Sequence, residues 1–469
     1  MAPPKSGASR KQSKDVRGRA SGKSDKKNAP ASVPRRKAQD QQRRGEQPES
    51  TSTEETDQNQ IDVSATIPIT LQQLLLNVFK TALLSPSTPS DAQARDEDAG
   101  TEEGKEKETI EEPLDIKSLI QTIKSHLYNR DFDSAFADAD EKLLRAYALR
   151  WSAARALGYS GLFKSLLKVL VEDEASSKES STPRSAHVVC IGGGAGAEIV
   201  ALAAAWRNLM DEGLISGTQR ELSDALEGVS LEDKKDDEEE GASSNTPSQE
   251  QKTQQPASSP GLSITAVDIG DWSTVVERLS STLLSPLATG SKSHPAPLLP
   301  VSPSSKDTDA TTASGFNADF KRLDVLSLPD LDLVSLFHSS PSSLTTNLVT
   351  LMFTLNELFS TSMAKATSFL LRTTDLLAAG TILLVVDSPG SYSTLKLNKG
   401  TGEQQERQYP MKFLLDHTLL SVAKGKWEKI YSQDSRWWRR DAARLWYEVG
   451  EGAGLEDMRY QIHVYRRLE

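Results

Sequence analysis

Four glycines fall within five residues at 192–196, directly after the apolar run 188–191 (Val-Val-Cys-Ile). The run reads as a buried parallel strand, and 199–206 (Ile-Val-Ala-Leu-Ala-Ala-Ala-Trp) reads as a helix. Strand, glycine turn and helix together bring backbone amides and a helix N-terminus against a nucleotide, because no Cβ blocks the approach. Gly192, Gly194 and Gly196 give G-x-G-x-G, while Gly192, Gly194 and Ala197 satisfy G-x-G-x-x-A. On spacing alone the turn suits a nicotinamide or flavin coenzyme as well as S-adenosylmethionine. No Gly-Lys-Ser/Thr follows, so it is not a phosphate loop of the Walker type.

Polar groups stand at four further expected strand ends. Asp268 closes the run 262–267, where a carboxylate accepts hydrogen bonds from ribose hydroxyls. Asp324 lies at the end of a third strand, a position that commonly faces an adenine amino group; a plain turn aspartate is the alternative. Asn356 and Glu357 follow the fourth strand and are the first acceptor-side candidates, though either also suits a helix cap. Asp387 ends the fifth strand and opens the loop Ser-Pro-Gly390-Ser-Tyr392.

Other chemistries find little support. The six histidines are scattered, no C-x-x-C or H-E-x-x-H occurs, and G-x-S-x-G is absent, so no metal site and no serine-hydrolase elbow is expected. Cys190 is the single cysteine, which excludes an internal disulfide and fits a reducing intracellular compartment. No apolar run approaches the roughly 18 residues of a membrane span.

These groups need a scaffold. The chain has 469 residues, 36% of them hydrophobic, 6% aromatic and 26% charged, and a net charge of −11. That composition predicts one sizeable folded domain with long unfolded tracts. Residues 1–65 read as a disordered basic arm; 1–50 hold 14 Lys/Arg against 5 Asp/Glu. Such an arm suits RNA phosphate or nuclear import. Residues 66–112 read as a helix, N-capped by Thr70 and stopped at Ser85-Pro86, plus a linker. The helix is apolar enough to dock on the main domain or on a partner. A helical segment spans 113–175, with Gly158 and Gly161 expected to end or kink its last helix. Arg145, Arg150 and Arg155 share no stripe and read as solvated faces or fold salt bridges, with RNA contact as the minor alternative.

The main domain is expected over 183–469, interrupted by disordered inserts at about 218–260 and 284–315. Strands are predicted at 187–191, 262–267, 318–326, 347–355, 381–387, 427–433 and 458–466. Helices are predicted at 197–212, 272–284, 361–379 and 410–424, with Gly380 as a C-cap. The alternation predicts an α/β fold: a mostly parallel, Rossmann-like sheet of seven strands ending in an antiparallel hairpin. Around that hairpin lie Trp427, Trp437, Trp438 and Trp446 with Arg436, Arg439, Arg440, Arg444, Arg466 and Arg467. The mixture fits either stacking on unpaired bases or an aromatic edge of the core.

Several separated segments resemble one family. They are 147–159 (Tyr-Ala-Leu-Arg-Trp-Ser-Ala-Ala-Arg-Ala-Leu-Gly-Tyr), 188–198, 266–268, 354–359 (Thr-Leu-Asn-Glu-Leu-Phe), 386–390 and 458–465. Together, over roughly 114–469, they resemble the fungal large-subunit (25S) ribosomal RNA uridine-N3 methyltransferases of the Rossmann-like, S-adenosylmethionine-dependent class. The resemblance implies a class I methyltransferase sheet, S-adenosyl-L-methionine as donor, and large-subunit rRNA or a pre-ribosome as partner in the nucleus or nucleolus. It implies that Gly192, Gly194, Gly196, Asp268 and Asp324 hold the donor and that Asn356, Glu357 and Asp387 face the acceptor. In that class an acid usually stands two residues before the first glycine. Cys190 occupies that position here, which shifts the methionine end onto Glu198 or backbone amides. A nicotinamide- or flavin-dependent oxidoreductase and a non-catalytic assembly factor are the competing readings.

Overall fold

The computed structural model describes residues 61–85, 114–176, 185–215, 261–300, 315–339, 344–398 and 404–469. The readings made above for residues 1–60, for the linker, and for the cores of the two inserts lie outside the described residues.

Seven strands form one sheet: β1 (Ser185–Ile191), β2 (Gly261–Asp268), β3 (Phe316–Arg322), β4 (Leu348–Met352), β5 (Ile382–Asp387), β6 (Trp427–Trp438) and β7 (Met458–Arg467). Their order across the sheet is β6-β7-β5-β4-β1-β2-β3. β1 to β5 run parallel, and β7 lies antiparallel between β5 and β6. β1 is buried on both faces, as a near-continuous apolar strand must be. The order reverses between β1 and β4, so the carboxyl ends of β1, β2, β4 and β5 open onto the switch-point crevice where α/β sheets bind ligands. An antiparallel β7 inserted before β6 departs from the dinucleotide-binding order, whose sixth strand follows the fifth directly.

Helices cover both faces. One face packs against α1 (Ile69–Leu84), α2 (Ile116–Tyr128), α3 (Glu141–Tyr147), α4 (Ala153–Ser176), α5 (Ala197–Asp211) and α6 (Ser273–Leu284). The other packs against α7 (Asp330–Phe337), α8 (Leu355–Thr361), α9 (Met363–Leu376) and α10 (Met411–Asp416). Strand residues alternate between the two cores: Val188 and Cys190 face the first, Val189 and Ile191 the second. α1 settles its own alternative by docking on α4, α5 and α6 of the main domain. Its C-terminal carbonyls are held by two arginines: Arg145 donates to Leu83 O at 2.9 Å, and Arg278 Nε to Ala82 O at 2.8 Å.

Several expectations change. α4 runs straight through Gly158 and Gly161. Both glycines serve close packing: a Cβ at Gly158 would lie 2.5 Å from Met458 Cε, and one at Gly161 1.9 Å from the Ala65 carbonyl oxygen. Arg145 and Arg150 keep the salt-bridge alternative read for them: both are buried, Arg145 paired with Glu141 and Arg150 with Glu456 and Gly454 O. Thr70 is not the cap of α1; Pro68 precedes the helix, and the Thr70 hydroxyl bonds His294 Nδ1. Part of the second insert is packed: Leu298 and Leu299 are buried, and Arg207 donates to Pro297 O and Leu298 O. Ile61 and Ile67 are buried as well, so the arm's end belongs to the core. α9 stops at Leu376, and Gly380 (φ +87°) instead makes the turn into β5. Strand β3 ends at Arg322 and β4 at Met352, both short of the expected ends. Elements that went unread include α7, α8, the short pairing of His338–Ser339 with Leu344–Thr345, and a hairpin of Tyr392–Asn398 with Gln404–Pro410.

Gly161→Ala is expected to cost about 1–3 kcal/mol, because its Cβ meets backbone that cannot rotate away. Gly454→Ala, which meets nothing within 4 Å, serves as the control and should be near neutral. Denaturant midpoints of the two variants check this.

Candidate functional site

The glycine turn is fixed from three sides. Gly192 adopts φ +78°, and its N–H donates to Val267 O at 2.7 Å, tying the tip of β1 to β2. A Cβ there would lie 2.1 Å from Thr354 Oγ1, just beyond β4. A Cβ on Gly194 would lie 2.3 Å from the Trp272 ring. Gly196, at φ +80°, is the N-cap of α5, where a side chain would strike Leu279. Each of the three glycines therefore has a stated steric cause.

Asp268 stands at the end of β2, as expected. Its Oδ2 accepts from Gly194 N–H at 3.2 Å and its Oδ1 from Ile269 N–H at 2.8 Å. Burial raises its pKa, and the amides of Gly270, Gly194 and Ile269 oppose the rise. Asp324 lies two residues past β3, exposed. Its Oδ1 accepts from Leu326 N–H at 2.9 Å and its Oδ2 from the Ser327 hydroxyl at 2.6 Å, so here both oxygens serve its own turn.

Glu198 occupies the first turn of α5, 3% exposed, and its Oε1 has no partner within the protein. Burial pushes its pKa up to about 8, with the Arg155 guanidinium opposing and Asp268 adding to the rise. Cys190 beside it is a buried neutral thiol, pushed up by burial and by the Glu198 charge. The buried carboxyl nearest Cys190 thus belongs to the helix and not to the strand. Arg155 was missed as a site residue. It projects from α4, donates to the Tyr147 hydroxyl at 2.9 Å, and stacks over the Phe353 ring at 4.9 Å. Phe353 holds φ +59°, a rare non-glycine conformation, at the junction of β4 and α8. Nothing in the arginine spacing marked Arg155, since tertiary packing alone brings it to Glu198.

Asn356 and Glu357 sit on the first turn of α8 rather than on a strand tail. Asn356 N–H donates to Asp387 Oδ2 at 3.0 Å. Asp387 Oδ1 accepts from Ser388 N–H at 2.7 Å and from the Ser391 hydroxyl at 3.4 Å. Asp387 is buried, which lifts its pKa to about 6 against the pull of those donors, with Glu357 adding repulsion. Asn356 Oδ1 is buried without a partner. Glu357 is half-buried and its pKa is raised by burial, opposed by Arg130 and Asn356. The structure thereby brings the glycine turn, Glu198, Asp268, Asn356, Glu357 and Asp387 to one edge of the sheet. Asp324 remains engaged in its turn.

An adenosyl amino acid fits this lining. Two buried oxygens beside the turn, on Glu198 and on Asn356, lack partners within the protein and could take a ligand's donors. A family model described as SAM-dependent methyltransferase matches residues 101–466. The chain belongs to this family of S-adenosylmethionine-dependent methyltransferases. A curated relative, the 25S rRNA (uridine(2843)-N(3))-methyltransferase of Saccharomyces cerevisiae, is 30% identical over 367 residues, 76% of this chain and 80% of the yeast protein. Similar solved structures include a SAM-dependent methyltransferase from Methanosarcina mazei (12% identity, 61% of this chain and 94% of that one, TM-score 0.26). Another is an S-adenosylmethionine-dependent methyltransferase from Clostridium acetobutylicum (8% identity, 75% and 100%, TM-score 0.27). Among the described residues no cluster of three or more His, Cys, Asp or Glu suits a metal, and no helix is long and apolar enough to cross a membrane.

The methyltransferase's buried acid makes a pH-dependent signature. An acid whose pKa rises from 4.5 to about 8 on folding stabilises the fold below its ordinary value and loses that contribution as pH climbs through about 8. Ligand-free Glu198→Gln is therefore expected to gain on wild type in melting midpoint between pH 5 and pH 9. A difference that stays constant or shrinks over that range contradicts the assignment.

Proposed function

We propose that this methyltransferase modifies N3 of a uridine in large-subunit ribosomal RNA, the acceptor named for its yeast relative. The observation that carries the reading is the pairing of the two: a relative 30% identical over 76% of this chain, and an amide and a carboxylate at adjacent positions, Asn356 and Glu357, beside the glycine turn.

Bound at the glycine turn, S-adenosylmethionine would supply an electrophilic methyl group on a sulfonium. Backbone amides of 192–196 line the donor, Asp268 accepts from its ribose, and Glu198 accepts from its amino group. Asp324 would meet the adenine by exchanging its turn partners. Uridine N3 lies on the Watson–Crick edge, so the base must be unpaired or extruded to enter. Asn356 holds the pyrimidine by its ring oxygens. Glu357 receives the N3 proton, which must leave for the ring to remain neutral after methylation. Asp387 positions both by fixing the Asn356 backbone. Alignment of acceptor and methyl is the larger contribution, about 7–11 kcal/mol in well-oriented reactions. The basic arm and an rRNA substrate support a nuclear or nucleolar site of action over a cytoplasmic one.

Glu357→Gln is expected to lower kcat about 10²–10⁴-fold with little change in S-adenosylhomocysteine affinity. Because burial raises the Glu357 pKa, its base form disappears at a higher pH than an ordinary carboxylate's. The wild-type rate should fall on the acid side of neutrality, and the variant should lack that limb. Mass spectrometry of rRNA nucleosides from a gene-deletion strain tests the acceptor: 3-methyluridine should fall, and an unchanged level overturns the reading.

A further inference from the structure

The three tryptophans of β6 differ in exposure, and Trp446 lies exposed beyond the strand. Trp427 is 4% exposed and donates from Nε1 to Thr374 Oγ1 at 2.9 Å. Trp438 packs inward against α4, next to Gly158 and Met458. Trp437 is 53% exposed. Two guanidinium groups lie over its ring, that of Arg439 at 5.0 Å and that of Arg459 at 5.9 Å. Arg439 also pairs with Asp457 at 3.0 Å. Arg459 donates from Nε to Ser435 Oγ at 3.1 Å and forms no ion pair among the described residues. An exposed indole with two cations beside it, one of them without a counter-charge, has the make-up of a stacking platform for an unpaired base and its phosphate.

Register ties this platform to the active edge. Gln461 of β7 stands opposite Asp387 of β5, and Trp437 of β6 stands opposite Arg459. Residues 459, 461, 463 and 465 share one face of β7. Tyr465 on that face belongs to the core beneath α8 to α10, and Gln461 donates to Ser388 O at 2.8 Å. Trp437 therefore shares both sheet face and sheet edge with Asp387. Two residues along and two strands across amount to about 12 Å between their backbones. A register shift between Gln433 and Arg436 bends the end of β6 just before it, as bulges beside sites commonly do.

We propose that Trp437, with Arg439 and Arg459, stacks on an unpaired nucleotide adjoining the target base, holding the RNA strand while the target enters the pocket. The inference deepens the RNA reading and rests on it. The test uses the full-length protein and a short labelled oligouridylate, compared with an RNA duplex, by fluorescence anisotropy. Trp437→Ala should weaken single-strand binding about tenfold. Trp437→Phe should stay near wild type, and duplex binding should be unchanged by either. Arg459→Ala should lower the salt dependence of binding. In methyl transfer to rRNA, Trp437→Ala should raise KM for RNA far more than it lowers kcat. S-adenosylhomocysteine affinity and melting midpoint should match wild type, which separates a lost platform from a damaged fold or donor site. Single-strand affinity of Trp437→Ala within twofold of wild type overturns the platform and leaves the surface to a protein partner. An enzyme that methylates rRNA while Trp437→Ala is indifferent sinks the platform alone; persistence of 3-methyluridine in the deletion strain sinks the acceptor reading.

Discussion

The site depends on one junction, the turn that carries the chain from β1 into α5. Its amides are shared between neighbouring strands: Gly192 N–H goes to Val267 O, and Gly194 N–H goes to the Asp268 carboxylate. Thr354 and Trp272 close on the turn so tightly that no side chain fits at either glycine. Donor-side and acceptor-side groups are thereby locked into one frame, since Thr354 leads directly into Asn356 and Glu357. A small displacement of the turn would be passed to both halves of the site. Interiors packed to crystal-like density transmit strain rather than absorb it.

Charge at this junction is unusual in its placement. A neutral thiol ends β1 where an acid is common, and the acid sits on α5 instead, buried and short of a partner. Arg155 supplies the facing cation from a helix outside the sheet's own αβ units. Burying a carboxylate without full compensation costs stability in the free protein. A ligand amino group would recover that cost on binding, so the same desolvation that weakens the empty site strengthens its preference for a cationic group.

Much of this was legible in the sequence, for physical reasons that differ by element. Periodicity located the sheet strands most plainly where they are buried apolar runs, as in β1, β4 and β5, while β3 and β6 carry exposed polar residues along their length. The glycine turn and the polar groups at 268, 356–357 and 387 were legible because switch-point chemistry sits at strand ends. Gly158 and Gly161 misled, since glycine inside a helix reads as a stop unless a close tertiary contact is known. Leu298 and Leu299 were hidden in a Ser/Pro-rich stretch whose average composition masks two anchoring side chains. Arg155 and the inward-outward division of the tryptophans depend on packing between distant segments, which no local pattern records.

Titration calorimetry with S-adenosylhomocysteine tests the central claim most directly. The account predicts one site per full-length chain, lost in Gly192→Ala, whose backbone would be strained at φ +78° and whose methyl group would press on Thr354. A folded protein that binds no S-adenosylhomocysteine, or that takes up NADH in its place, would contradict it.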